Sequence, residues 1–292
     1  MKKIFKRLLQ GLGILVALIA VFLGVVYFVT SRRMAKTFAV KDHPVPVYTS
    51  LADIAEGKRL FLSRGCADCH GENLAGKVFL EDGAMGRYAG SNLTAGKGGI
   101  LASRSDFELE KAIRHGVGKD GRALVFMPSL DFQGMSNQDV ARIIAYMRSA
   151  PAVDNEPPAM KAGPVARVLY FLAKIPVFIS AERIDHTAQP VAEVKPGVDL
   201  EYGKYIAQTC TGCHNHQLTG GPIQGAPPEW PPASNITNAG LKGYTEEQFI
   251  TALRTGKRSD GSAINPIMPW KNLSKMTDTE IKALFKYLKT LG

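Results

Sequence analysis

Two pentapeptides hold the residue types best suited to chemistry: Cys66-Ala67-Asp68-Cys69-His70 and Cys210-Thr211-Gly212-Cys213-His214. Each reads Cys-x-x-Cys-His, the signature for covalent attachment of a c-type haem. Two intervening residues put both sulfurs on about one helical turn, within reach of the two vinyl groups of one porphyrin. The histidine that follows then lies under the ring, where its imidazole can ligate iron from the proximal side. The chain has four cysteines and all are in these motifs, so none is left for a disulfide or a nucleophile. A redox-active Cys-x-x-Cys pair and half of a zinc site are the competing chemistries. The first needs no following histidine, and the two pairs start 144 residues apart. The motifs therefore predict two covalently bound haem c groups, held by Cys66, Cys69, Cys210 and Cys213, with His70 and His214 as axial iron ligands.

A second axial ligand is sought further along. A distal methionine thioether opposite a histidine raises a haem's reduction potential. Met127-Pro128 lies 57 residues after His70, and Met268-Pro269 lies 54 after His214. Proline cannot continue a helix or donate an N–H, so each methionine is expected in an irregular loop, free to reach over a ring. Met135 and Met276 also recur, but each directly precedes a helix N-cap, where an apolar residue packs back as a staple. Met127 and Met268 are the predicted ligands. His43, His115, His186 and His216 are predicted to be surface histidines. No residue is assigned a catalytic role.

The elements that position these residues come twice. Residues 51–150 and 199–292 align as copies. Each opens with a helix running into the haem motif, with Phe61 and Tyr205 five residues before the first cysteine. Each continues through Ser91-Asn92-Leu93-Thr94 or Ser234-Asn235-Ile236-Thr237. A helix follows with a capping box (Ser105 and Glu108; Thr245 and Gln248) and a glycine stop (Gly116, Gly256). An Asp-Gly turn leads to Met-Pro, and an amphipathic helix carrying Tyr146 or Tyr287 closes the copy.

Each copy resembles a class I cytochrome c domain, on the strength of its Cys-x-x-Cys-His, its Met-Pro and the flanking helices with Gly57 or Gly203 and Tyr146 or Tyr287. The resemblance covers about 195 of the 292 residues. It implies an all-α fold in which the first and last helices of each domain cross beside the haem. As a whole the chain is similar to membrane-anchored dihaem cytochromes c of bacterial respiratory chains, and more loosely to cytochrome subunits of periplasmic dehydrogenases. Six-coordinate His/Met iron implies one-electron transfer rather than substrate chemistry. Arg114 and Arg254, and amides near Asn92 and Asn235, are candidate neighbours of a haem propionate. The competing class is a dihaem redox enzyme, peroxidase-like or oxidising sulfur compounds. That class needs an open iron or an unusual ligand such as cysteine.

The formal charge of +10 has a local origin. Seven of 36 basic residues lie in residues 1–40, which hold no Asp or Glu, leaving 29 basic against 26 acidic beyond. This argues for a membrane and against nucleic acid as partner. Leu8–Thr30 is free of charge and long enough to span a bilayer. Lys2, Lys3, Lys6 and Arg7 before it favour a cytoplasmic N-terminus, so residues 1–36 are predicted to be an uncleaved single-pass anchor with everything after it on the periplasmic side. Residues 37–50 are predicted to be an extended tether, and 151–198 a proline-rich linker. The linker's apolar stretch, residues 165–180, is too short to span. A helix packed between the domains is predicted there, with a segment lying on the bilayer as the alternative. The expected partners are redox proteins: a dehydrogenase, a quinol-oxidising complex or a terminal oxidase.

Overall fold

The computed structural model describes residues 2–292. The chain begins with one unbroken helix, α1 (Lys2–Met34), on which only Val26 and Thr30 are buried. It is long and apolar enough to cross a membrane. Within it the Thr30 hydroxyl donates to the Val26 carbonyl at 2.7 Å, which satisfies the hydroxyl inside the helix itself.

Residues 37–49 form no helix, yet they do not hang free. The Phe38 N–H donates to the Gly121 carbonyl at 2.8 Å, and Val45 packs on the first core. There follow α2 (Leu51–Ser63), α3 (Cys66–His70), α4 (Asp106–His115), α5 (Ser129–Phe132) and α6 (Asn137–Ser149). The second copy repeats them as α8 (Leu200–Ala207), α9 (Thr211–His214), α10 (Glu246–Thr255), α11 (Trp270–Leu273) and α12 (Asp278–Leu288). Between the copies lies α7 (Pro164–Phe171), with proline at its first helical position. The local signals act as polar groups at helix ends require. Both capping boxes form, at Ser105/Glu108 and Thr245/Gln248, and Gly116 and Gly256 take left-handed φ of 61° and 69° to end their helices.

In each copy the first and last helices pack directly on one another, α2 on α6 and α8 on α12. The glycines set that contact. A Cβ on Gly57 would lie 2.5 Å from the Arg142 carbonyl carbon, and one on Gly203 would lie 2.7 Å from Tyr287 Cβ. Each copy has its own apolar core, centred on Leu60, Phe61, Val140 and Ile144 in the first and on Ile206, Ile281, Ala283 and Leu288 in the second.

Helices dominate, as the sequence predicts, but a small antiparallel sheet is added that the sequence does not announce. It comprises β1 (Val78–Asp82), β2 (Gly86–Ala89) and β3 (Lys161–Ala162), with β2 in the middle. β3 comes from the linker, so the ladder depends on a contact between segments some 75 residues apart, which no local pattern encodes. The linker makes more contacts than the predicted packing between the domains. Its start lies along the first copy, where Asn92 Nδ2 donates to the carbonyls of Val153 (2.8 Å) and Asn155 (3.0 Å). Its apolar part then builds a third core of Tyr88, Tyr170, Ile175, Phe178 and Ile179, packs on α1 and reaches the second copy where Ile175 meets Gly225.

Candidate functional site

Both Cys-x-x-Cys-His segments are helical, so the cysteines and histidine of each share one turn or so of backbone. The two histidines are held in the same way. His70 Nδ1 is 2.9 Å from the Ser91 carbonyl and His214 Nδ1 is 2.7 Å from the Ser234 carbonyl. A carbonyl can only accept, so Nδ1 carries the proton in each ring and Nε2 keeps its lone pair. That is the tautomer a metal-ligating imidazole needs, with its second nitrogen fixed by a backbone acceptor. Burial pushes both imidazoles below their usual pKa, opposed in part by these carbonyls, which keeps them neutral and available to a cation. The repeated Ser-Asn-(Leu/Ile)-Thr segment thereby gains a role: its serine carbonyl orients the histidine. Its asparagine is structural. Asn92 is fully buried and its side-chain oxygen accepts from Thr94 N at 2.9 Å, as Asn235 does from Thr237 N at 2.8 Å.

A cavity of about 270 Å³ opens beside the second motif. Cys210, Cys213, His214 and Met268 all line it, with Ile236, Phe249, Leu253, Ile264, Leu284 and Leu288 supplying an apolar wall. An apolar slot with two thiols, one neutral imidazole and one thioether suits a flat hydrophobic macrocycle bound covalently through its edge. Burial pushes the thiols up, Cys66 to about 12 and Cys69 and Cys210 to about 11. The surroundings alone therefore do not favour a thiolate at these positions. Among the described residues no group of three or more His, Cys, Asp or Glu is arranged to hold a metal ion.

The methionines separate as their neighbours suggest. Met135 and Met276 are buried, 5 % and 4 % exposed, each immediately before an N-cap that forms (Ser136, Thr277). Met127 and Met268 lie on the edge of their cores. The prolines after them adopt nearly the same dihedrals (φ −79°, ψ 51°; φ −78°, ψ 52°) and start the short helices α5 and α11. Only the first loop is braced by the linker. Ser180 Oγ donates to the Met127 carbonyl at 2.7 Å, and the Phe126 N–H donates to Phe178 O at 3.0 Å. Phe126 holds a left-handed φ of 60°, an unfavourable state for an aromatic residue that packing on Tyr88 (4.6 Å) and Phe178 (5.5 Å) maintains.

The arginines depart from their equal treatment in the sequence. Arg114 is buried in a 2.6 Å pair with Glu110, whereas Arg254 bonds the Ser274 carbonyl and pairs with Asp278 at 2.6 Å. Neither lines the cavity of the second copy; Arg258 does. The position of Arg258, two residues before the Asp-Gly turn, is the only signal that pointed to it, and the first copy has Gly118 there. Of the four histidines predicted at the surface, His216 is exposed and the other three are not. His115 is buried, its Nδ1 3.0 Å from His186 Nδ1, whose Nε2–H donates to the Ala181 carbonyl. Burial, then the neighbouring His186 and Arg114, push His115 down to about 4. His43 packs edge-on against Phe107 with its Nε2 3.8 Å from Glu110.

The two motifs face one another through an interface in which equivalent positions exchange roles. Asn272, four residues after Met268, donates to Asp68 inside the first haem motif at 2.6 Å. Asp131, four residues after Met127, lies so close to Gly212 in the second motif that a Cβ there would be 2.9 Å from its carboxylate. Arg59, two residues after Gly57, bonds Glu280 at 2.6 Å, the third residue of α12. Tyr205, two residues after Gly203, bonds Asp139 at 2.5 Å, the third residue of α6, and accepts from Ser136 N. Counted from the cysteines Tyr205 matched Phe61; counted from the crossing glycines it matches Arg59. The segment between crossing and motif is two residues shorter in the second copy, and Tyr205, still in its own core, reaches the interface with its hydroxyl.

A family model described as cytochrome c matches residues 54–151 and again 200–292. The fructose dehydrogenase cytochrome subunit of Gluconobacter japonicus is 26 % identical over 279 residues, covering 87 % of this chain and 55 % of that protein. The cytochrome c subunit of the quinone alcohol dehydrogenase of Gluconacetobacter polyoxogenes is 25 % identical over 302 residues, 89 % of this chain and 62 % of its own. The gluconate 2-dehydrogenase cytochrome c subunit of Pantoea cypripedii is 25 % identical over 269 residues, 82 % and 59 % respectively. The chain thus spans less than two thirds of the length of these relatives. Two matched ranges, each enclosing one motif, one oriented histidine and one Met-Pro loop, carry the conclusion: the chain belongs to the cytochrome c family.

Proposed function

We propose that the chain is a dihaem cytochrome c that transfers single electrons between redox proteins at the outer face of the cytoplasmic membrane. Residues 51–150 and 199–292 would each hold one haem c, through Cys66 and Cys69 in the first and Cys210 and Cys213 in the second. His70 with Met127, and His214 with Met268, would be the axial ligands. Helix α1 would cross the membrane once. The bound haems supply one-electron Fe(III)/Fe(II) cycling. The protein's part is to hold imidazole and thioether in fixed places, so that little moves when the charge changes, and to exclude water with an apolar wall.

The observation that carries this reading is the pair of histidines, each with Nδ1–H fixed on the serine carbonyl of the same repeated segment and Nε2 left for iron. The role of an electron-transfer subunit of a dehydrogenase draws on the relatives, three of which are named as cytochrome subunits of dehydrogenases acting on fructose, alcohol and gluconate. The interface favours a relay, because it brings the Met-Pro side of each copy against the haem motif of the other.

The test is a haem count per chain by pyridine haemochromogen, together with the near-infrared methionine–iron band of the oxidised protein and carbon monoxide binding by the reduced protein. Two haems, band intensity worth two methionines and no carbon monoxide adduct are expected. A carbon monoxide adduct at one full haem would move the enzyme reading ahead.

A further inference from the structure

Helix α7 carries an apolar face that the described chain covers only in part: Val165 and Leu172 are exposed, Val168 is half-buried and Leu169 packs on the third core. Val165, Val168, Leu169 and Leu172 recur at the i, i+3, i+4, i+7 spacing of one helix stripe. Val165 is 43 % exposed and Leu172 50 %, while Ala166 and Tyr170 on the other side are buried. The only charge in the helix, Arg167, is turned away from that stripe towards α1. It donates to Thr30 Oγ1 at 2.8 Å and Ser31 Oγ at 3.0 Å, and its guanidinium lies 4.3 Å over the Tyr27 ring. A helix with no polar outer face is unsuited to water and suited to lipid.

What lies beside this face identifies its occupant. α7 runs down α1 towards the N-terminal end. Arg33 pairs with Glu182 at 2.5 Å and lies 4.1 Å over the Tyr170 ring, Arg167 meets Thr30 and Ser31, and Phe171 meets Phe22 edge-on at 6.2 Å. Phe22 is eight residues before Thr30, about 12 Å along the axis at 1.5 Å per residue. A hydrocarbon core about 30 Å thick takes roughly 20 residues of helix. Counted from Leu8, directly after Arg7, that length ends near Phe28. Phe171 and Leu172 therefore reach below the boundary, to the depth of the outer-leaflet acyl chains. Lys174, exposed just beyond them, has a stem long enough to return its ammonium to the headgroups.

We propose that α7 and the turn through Leu172–Lys174 insert into the outer leaflet of the phospholipid bilayer beside α1. The inference rests on α1 spanning that bilayer. The first haem domain is then fixed to the membrane at two places and not merely leashed by residues 37–50. The same segment continues into Phe178 and Ser180, which hold the loop of Met127, so lipid contact and the geometry around the first haem share one element. The second domain has no comparable insert among the described residues.

The test uses the full haem-loaded chain, one copy per lipid nanodisc. Thioether formation consumes the native cysteines, so single cysteines introduced as Leu172→Cys, Val165→Cys, Val16→Cys and Ser259→Cys can be followed with a charged, membrane-impermeant thiol reagent. Ser259 is exposed in the second domain and Val16 lies mid-way along α1. The expected result is at least tenfold slower labelling at positions 16, 165 and 172 than at 259. A lipid with a photoactivatable acyl chain should also label residues 164–174 in the unsubstituted protein. Labelling at 165 and 172 within about threefold of 259, with 16 protected, overturns the insertion while leaving the anchor intact. Rapid labelling at 16 as well overturns the anchor and the insertion together. Protection at 172 without lipid crosslinks means that another protein covers the face, and also overturns the proposal.

Discussion

The interface between the two haem motifs can be broken at one side chain. Arg59 is 20 % exposed and pairs with Glu56 and Glu280 at 2.6 Å each; Glu280 is only 2 % exposed. Burial alone would lower the guanidinium pKa, but the bonds from Glu56 and the charge of Glu280 more than reverse this. Arg59→Met keeps the apolar stem and removes the charge. Glu280 would keep its bond to the Thr277 N–H at 2.6 Å and lose both bonds from Arg59. Leaving a buried charge without its partner costs about 3–5 kcal/mol. Because Arg59 is itself partly solvated and water can reach the vacated edge, about 2–3 kcal/mol is the better figure here. At about 1.4 kcal/mol per factor of ten, the docked arrangement weakens roughly 30- to 140-fold. The assay is a double-mutant cycle of Arg59→Met and Glu280→Gln by urea unfolding, followed at the Soret band, alongside the rate of electron exchange between the two haems after single-electron reduction. A coupling energy of about 2 kcal/mol is expected, with slower exchange in each single variant. Arg87→Met is the control, since Arg87 and Glu81 are about half exposed and such a pair is worth about 0–1 kcal/mol. A coupling below about 0.3 kcal/mol, the ordinary scatter of independent sites, would refute the interface as described.

Other outcomes follow from the same geometry. Met127→Ala and Met268→Ala should each remove half of the near-infrared methionine band and open one haem to carbon monoxide; full band intensity after either change would exclude that methionine as a ligand. Gly57→Ala and Gly203→Ala place a methyl against the Arg142 carbonyl and Tyr287 Cβ. Overpacking of about 3 kcal/mol, the upper end expected where the added methyl meets backbone, offset by about 1 kcal/mol of helix propensity, should lower stability by about 2 kcal/mol in thermal unfolding, whereas Gly83→Ala, which meets nothing within 4 Å, should not. Burial pushes the Asp131 carboxyl up to about 6, with His216 pulling it back. A raised carboxyl favours the folded state below pH 4 and loses that contribution as pH rises through 6, so Asp131→Asn should gain up to about 3 kcal/mol on the parent between pH 4 and pH 7. A gain with the opposite pH slope would show that the carboxylate is ionised and stabilising.

What the sequence could disclose was set by the range over which each signal acts. Cys-x-x-Cys-His, the capping boxes and the glycine stops are local devices, complete within five residues, and each occurs where its pattern predicts. The Met-Pro loops were legible because proline restricts its own backbone, and the distinction between Met127 and Met135 followed from the N-cap beside the latter. Arg114 and Arg254 were not distinguishable, because their difference lies in Glu110 one turn away in the first copy and in Ser274 and Asp278 on another segment in the second. His115 offered no sign of burial, since its partner is His186, 71 residues on. The third core was missed for the same reason: Tyr88, Phe126 and Phe178 come from three segments, and each looks like an ordinary loop aromatic by itself.

The repeat itself shows why function is less symmetric than sequence. Helix crossing, histidine orientation and the Met-Pro turn are shared by the copies, the last down to single dihedrals. The contacts between copies use the same positions with different chemistry: Arg59 with Glu280 against Tyr205 with Asp139, and Asn272 on Asp68 against Asp131 on Gly212. A true two-fold would allow either copy to pair with a second chain just as well. A charged pair on one side and a phenol–carboxylate bond on the other make the two halves of the interface chemically distinct. The same divergence lets the copies differ in surroundings, with Arg258 at the cavity of the second and the linker's Ser180 on the loop of the first. The two motifs therefore sit in different electrostatic surroundings.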